Sequence, residues 1–336
     1  MLALLPFTLV LLPPLLAVAA SWLGPAGAWG VPVFYLVLLP LCDGLVGPSA
    51  TGAPAPGPAA LHRALLHASV PLVLGLTAWL AWHTRALPPL EYLGWVFTAG
   101  TVTSLGIPIA HELIHKASRV DRAAGKLLLF NAAYMHFAIE HVFGHHVRVA
   151  TPDDPATARR GESVYAFYPR AVLGGWRSAW AIEAARLQRV GARVWGPRNQ
   201  MLWFAMLPLG YAALLTFLVD PQSGMFFLAQ AVVGFSLLEL VSYLEHYGLE
   251  RAPGERVTPM HSWSSGRRLS NWAMVNLQLH ADHHMRAGVP YQVLEPLPGA
   301  PEMPTSYGGM ALIALVPPLF FRVMDPRVRR VADGPP

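Results

Sequence analysis

Six runs of mostly apolar residues, each about 20 long, constrain this chain more than any other feature. They cover about 2–23, 28–46, 66–86, 89–110, 199–220 and 223–243. A helix of roughly 20 such residues crosses the hydrocarbon of a bilayer, with every backbone N–H and C=O satisfied inside the segment. The chain therefore reads as an all-α, polytopic membrane protein with six transmembrane helices. Composition agrees: 54% hydrophobic and 13% charged residues leave too little polarity to cover a water-soluble body of 336 residues. A further apolar stretch, 308–323, is interrupted by Pro317 and Pro318 and reads as a surface-lying or buried segment. No basic residue precedes the first run, and a second follows Trp29-Gly30, so the first reads as a retained helix rather than a cleaved leader.

The cations set the expected orientation. Of 24 Lys and Arg residues, 13 lie in 116–198 and nine from Arg251 onward, leaving Arg63 and Arg85. The positive-inside bias then puts both termini, 116–198 and the tail on the cytoplasmic side of a bacterial inner membrane, with Arg85 outside. The Pro/Gly/Ala-rich segment 48–60 reads as a flexible cytoplasmic loop. The whole chain, 1–336, is taken as one domain, with cytoplasmic catalytic regions 111–198 and 244–336. Nothing suggests a nucleic-acid partner. The single cysteine, Cys42, excludes internal disulfides, a thiolate zinc site and an iron–sulfur or rubredoxin-type centre within the chain.

The 14 histidines are clustered. "HELIH" (111–115) has the H-E-x-x-H spacing of zinc proteases. It is followed by His141, His145 and His146 in "EHVFGHH" and by His280, His283 and His284 in "LQLHADHH", with His246 in "YLEHYGL". Spacings of three and four let one helix aim several imidazoles at one point. All four groups fall at the same expected membrane face. One catalytic zinc needs three protein ligands, so eight or nine histidines suit two metals better than a protease site. Imidazole alone does not choose among zinc, copper, iron and nickel. A metal transporter is the rival of another class, but transporters place ligands near the bilayer midplane, often between repeats, and no repeat is evident. His62, His67, His83 and His261 read as ordinary surface or core residues. His136 is balanced between core and support of the metal ligands.

Acidic residues beside the clusters are candidates to accept the second N–H of a metal-bound imidazole. They are Glu112, Glu140, Glu245, Asp282 and the pair Asp153-Asp154. Glu239 lies inside an expected span, where an ionisable side chain is a functional candidate.

Together, "HELIHK" (111–116), "EHVFGHHVRVATPDDPA" (140–156), "GES" (161–163), "YLEHYGL" (243–249), "HSW" (261–263) and "LQLHADHH" (277–284) resemble the motifs of the membrane-bound alkane monooxygenases. The closing "YGGMALIALVPPLFFRVMDPR" (307–327) is also similar. The resemblance covers roughly 90–327. It implies a histidine-rich cytoplasmic cap holding two non-haem irons on His111, His115, His141, His145, His146, His246, His280, His283 and His284. It also implies O2-dependent terminal hydroxylation of medium- or long-chain alkanes to 1-alkanols. Electrons would come from a separate rubredoxin and its NAD(P)H-dependent reductase. Xylene-type methyl hydroxylases and membrane fatty acid desaturases share the bare spacings and stay open as alternatives. The chain departs from the family pattern at Ser242, Leu279 and Met285, where Asn, Arg and Ala are usual.

An apolar substrate dissolves in the bilayer, so a channel between spans is expected to admit it. Trp95, Phe97 and Phe235 are the candidates to line that channel. Arg148, Arg159 and Arg160, closest to a histidine cluster, are the candidates to dock an acidic electron carrier.

Overall fold

The computed structural model describes residues 4–48, 58–252 and 254–333. Most of the expected loop 48–60, residues 49–57, lies outside them. Among the described residues, five helices are long and apolar enough to cross a membrane, against the six expected. The difference lies at the N-terminus, where the first two expected spans form one helical run, α1 (Leu5–Val46). It is broken at Gly24, whose φ of 67° and ψ of −155° suit a residue without a Cβ. Both ends of α1 pack against the short helix Arg268–Ala273, so the run doubles back on itself. Asp43 fixes that contact by accepting hydrogen bonds from the backbone N–H groups of Leu269 (2.7 Å) and Ser270 (3.0 Å).

The next helices are α2 (Ala59–His83), α3 (Pro89–Ile114), α4 (Arg119–Asn131) and α5 (residues 137–148). They are followed by α6 (Val164–Arg189), α7 (Gln200–Leu218) and α8 (Pro221–His246). The tail carries α9 (Arg268–Ala273), α10 (His280–Met285), α11 (Tyr307–Ala314) and α12 (Pro317–Ala332). The interrupted segment 308–323 thus divides into two helices, parted at Leu315-Val316.

Local chemistry sets several of these starts. The side chains of Ser118, Ser163, Asn199 and Asp220 each accept a hydrogen bond from the first turn of the helix they precede. Pro89 and Pro221 open α3 and α8, where the missing N–H costs nothing. Helices α3 and α8 cross closely at Gly100 and Gly234. A Cβ on Gly234 would meet Thr103 Cγ2 at 2.8 Å, so small residues let the two backbones approach.

The insert 116–198 does not lie wholly outside the helical bundle, contrary to expectation. Helix α4 turns back along α3, and Gly125 meets the backbone of Ala110. At its far end, Asn131 Nδ2 donates to Thr77 Oγ1 (3.0 Å) and Thr103 Oγ1 (2.8 Å). Thr103 donates to Gln230 Oε1 (2.7 Å), and Gln230 Nε2 donates to the Asn131 carbonyl (2.8 Å). Thr103 and Gln230 belong to spanning helices, so the turn 132–136 sits deep in the bundle, with Ala133 at a φ of 49°. Irregular backbone at that depth is tolerated because protein, not lipid, surrounds it. From there α5 climbs back toward the histidine end.

Candidate metal centre

Four elements deliver nine histidines to one end of the bundle. His111 lies in the last turn of α3, and His115 caps it. His246 ends α8, and α10 supplies His280, His283 and His284. His141, His145 and His146 come from α5, which is α-helical over Phe137–Glu140 and forms a π-turn over His141–His145. A π-turn closes i→i+5 hydrogen bonds, so residues five apart come into line. His141 and His146 therefore face each other, Nε2 to Nε2 at 3.0 Å, while His145 points elsewhere.

The nine divide into two sets. His111, His115, His141, His146 and His283 form one, and His145, His246, His280 and His284 the other. Within each set the available ligand atoms lie within 4.8 Å of one another. The second set is wholly buried; in the first, His115 and His146 are half-exposed.

The donor sets fit metal ions. Nε2 atoms face one another at 3.0 Å (His146 and His283), 3.3 Å (His145 and His284), 3.2 Å (His246 and His280) and 3.0 Å (His280 and His284). Facing lone pairs repel unless a proton or a cation lies between them. Metal–imidazole bonds of ~2.1 Å, taken at right angles, put neighbouring nitrogens about 3 Å apart. Moreover, His111 Nε2 and His115 Nε2 are buried without a hydrogen-bond partner. Desolvating such atoms is costly unless something binds them.

Groups behind the histidines orient them. Asp154 Oδ2 lies 2.9 Å from His145 Nδ1 and also accepts from Thr157 Oγ1 at 2.6 Å. Burial opposes its charge, but the pairing with His145 still holds the Asp154 carboxyl below the usual carboxylate range. An ionised Asp154 keeps a proton on His145 Nδ1 and leaves Nε2 as a free donor. His246 Nδ1 donates to the carbonyl of His261 (3.0 Å). The carbonyls of Glu245 and Tyr247 accept from Trp263 N and Nε1, which holds that segment to the end of α8. His261 reads as ordinary in the sequence; the main chain, which leaves no side-chain signal, is what meets His246.

The acidic candidates have different partners. Glu245 Oε1 stands 3.3 Å from His280 Nδ1 without hydrogen-bond geometry. Glu112 is bound by Lys116 Nζ (2.5 Å) and by the N–H of Tyr291 (3.2 Å). Glu140 accepts from Arg148 (3.0 Å) and Ser178 (3.3 Å). Asp282 accepts from Arg286 Nε (2.6 Å) and the N–H of Glu295 (2.8 Å). No hydrogen bond to an imidazole is found at Glu112, Glu140 or Asp282 among the described residues. Asp153 is exposed, unlike its neighbour. His136 is buried between Tyr134 and Trp176, outside both sets. Glu239 accepts from Tyr134 Oη at 2.7 Å.

A cavity reaches the histidines from inside the bundle. His111, His141, His145 and His280 close its metal end, and Ile107, Pro108, Leu238 and Leu277 line its apolar side. The polar side carries Tyr134, His136, Glu140 and Glu239. A second, mostly apolar cavity shares Ser104, Val241 and Met274 with the first and extends to Tyr35, Leu36 and Leu39 of α1. Trp95, Phe97 and Phe235 line neither cavity. Trp95 is buried beside His83. Phe97 stacks on Trp29, seven residues or about 10 Å along α3 from Ser104. Phe235 stacks behind Tyr134.

Of the candidate docking residues, Arg148 is half-buried and held by Glu140 and Ser178. Arg159 and Arg160 are exposed and line a surface concavity with residues 248–252.

Known proteins give an independent comparison. A family model described as fatty acid desaturase matches residues 87–310. Alkane 1-monooxygenase 2 of Pseudomonas aeruginosa is 40% identical over 328 residues, covering 92% of this chain and 86% of the relative. The alkane 1-monooxygenase of Pseudomonas putida is 37% identical, covering 93% and 82%. The hydroxylase component of xylene/toluene monooxygenase from Pseudomonas putida is more distant, 27% identical over 77% of this chain and 72% of the relative.

Proposed function

The chain belongs to the alkane 1-monooxygenases of the fatty acid desaturase family, and we propose accordingly that it hydroxylates the terminal methyl of alkanes to give 1-alkanols. The observation that carries this reading is the meeting of an apolar cavity with two all-histidine donor sets at the end of a membrane bundle. The overall reaction is R–CH3 + O2 + 2 e− + 2 H+ → R–CH2OH + H2O. The five-histidine and four-histidine sets would hold two irons, which supply the activation of O2 that an inert C–H bond requires.

The remaining tasks fall to the chain itself. Asp154 and the His261 carbonyl fix the tautomers of His145 and His246. Ile107, Pro108, Leu238 and Leu277 exclude water and hold a methyl group toward the histidines. The second cavity, between α1, α3, α8 and α11, offers the rest of an alkyl chain a path from the lipid. Rubredoxin and its reductase are the expected donors, reached from the cytoplasmic side of a bacterial inner membrane, where the basic face of the chain would lie.

The test supplies purified protein with rubredoxin, its reductase, NADH and a mixture of alkanes of graded length. Formation of 1-alkanols, with lengths limited by the two cavities, supports the proposal. Oxidation of xylenes or acyl lipids without any alkanol contradicts it.

A further inference from the structure

On the polar side of the cavity at the histidines, every side chain but one is already engaged. Tyr134 Oη donates to Glu239 at 2.7 Å, and Glu140 accepts from Arg148 and Ser178. His136 lines the same cavity and is 4% exposed, yet its ring makes no hydrogen bond among the described residues. A buried polar group without a partner is costly, so one that faces a cavity marks a place where a ligand supplies the hydrogen bond.

The space beside His136 is kept open by a glycine. Gly175 lies in the middle of α6, where glycine is a poor helix former. Packing does not require it. A Cβ on Gly175 would meet nothing closer than His136 Nε2 and Glu140 Cγ, each at 4.0 Å, whereas one on its neighbour Gly174 would strike Pro155 Cβ at 2.7 Å. Gly174 thus lets α6 approach the chain at Pro155, and the missing side chain of Gly175 leaves a recess in front of the imidazole. Ala171, one turn earlier on α6, also lines the cavity, which continues to the half-exposed Pro155 and Ala156. His136 stands five residues before His141, about 7 Å along the chain of α5, and belongs to neither donor set.

Resting on the function proposed above, we propose that this recess binds the hydroxyl group of the 1-alkanol product, with His136 as its hydrogen-bond partner. An alkane offers an imidazole nothing. A neutral imidazole carries one donor and one acceptor, and a hydroxyl can match either. The recess therefore tells product from substrate: the oxidised end turns from the donor sets toward His136, and the apolar side is left for the next methyl group.

The test measures binding of tritiated 1-decanol and tritiated decane to the full-length, metal-loaded protein in detergent by scintillation proximity. Iron content and thermal unfolding are checked for each variant. His136→Phe keeps a ring between Tyr134 and Trp176 but removes both nitrogens. It should raise the 1-decanol Kd about tenfold and move the decane Kd less than about twofold. His136→Gln, which restores a donor and an acceptor, should recover part of the 1-decanol affinity. Gly175→Leu fills the recess and should weaken 1-decanol more than decane. If His136→Phe loses iron or stability, Gly175→Leu and the milder Gly175→Val decide by the same ratio of affinities. A ratio equal to that of wild type overturns the proposal, whether both affinities hold or both fall together, since a residue that only packs or only binds water would treat the two ligands alike. Absence of alkanol formation by the wild type would instead overturn the functional reading, and the binding ratio would still judge the recess.

Discussion

Replacing Asp154 by Asn removes the charge that keeps a proton on His145 Nδ1, although the side chain still fits. An amide can turn either its oxygen or its N–H toward the ring, so His145 is no longer held to one tautomer. Loss of such support costs about 10–100-fold in metal affinity. The expected outcome is reduced iron per chain at limiting iron, measured by elemental analysis, with the helical circular dichroism unchanged. Which histidines gather is legible in the sequence, because imidazoles clustered beside apolar spans are costly to bury unless a metal binds them. How they divide is not. Spacing of four suggests that His141 and His145 share a point, yet the π-turn pairs His141 with His146. Neither that turn nor a main-chain acceptor such as the His261 carbonyl has a residue-type signature.

Helices α3 and α8 carry ligands from both sets, and two features hold them in register. One is the close crossing at Gly234. Gly234→Leu should overpack it against Thr103 and lower stability by about 1–3 kcal/mol. The other is the buried network joining Asn131, Thr77, Thr103 and Gln230. Asn131→Leu breaks two hydrogen bonds and should cost about 1–3 kcal/mol. Thermal unfolding in detergent measures both; a midpoint equal to wild type in either variant contradicts the assignment. The apolar runs make α2, α3, α7 and α8 legible from their composition. They also suggest a clean break between the first two spans, where α1 stays helical on both sides of Gly24. The descent of α4 is not legible. A 13-residue amphipathic helix looks like one lying on a surface, and only Asn131 reaching Thr103 reveals its depth.

Across the whole molecule, the cavity beside α1 and the cavity at the histidines adjoin, with Ser104, Val241 and Met274 lining both. Met274→Trp should block that junction and shorten the longest alkane hydroxylated, read from the alkanol lengths formed from a mixed substrate. An unchanged length distribution would mean that the substrate takes another route. The expected lining residues Trp95, Phe97 and Phe235 offer bulk on the right helices. A path between helices, however, depends on helix phase and on side chains from α9 and α11, which no single span contains. At the histidine end, one set of five and one set of four could each hold a metal ion. Elemental analysis of the purified protein, joined to Mössbauer spectroscopy of iron-57-loaded material, counts the metals that the two sets bind. About two irons per chain are expected, in two environments that lose one member each in His283→Ala and His280→Ala. A single metal ion per chain, or zinc in place of iron, would overturn the two-site arrangement.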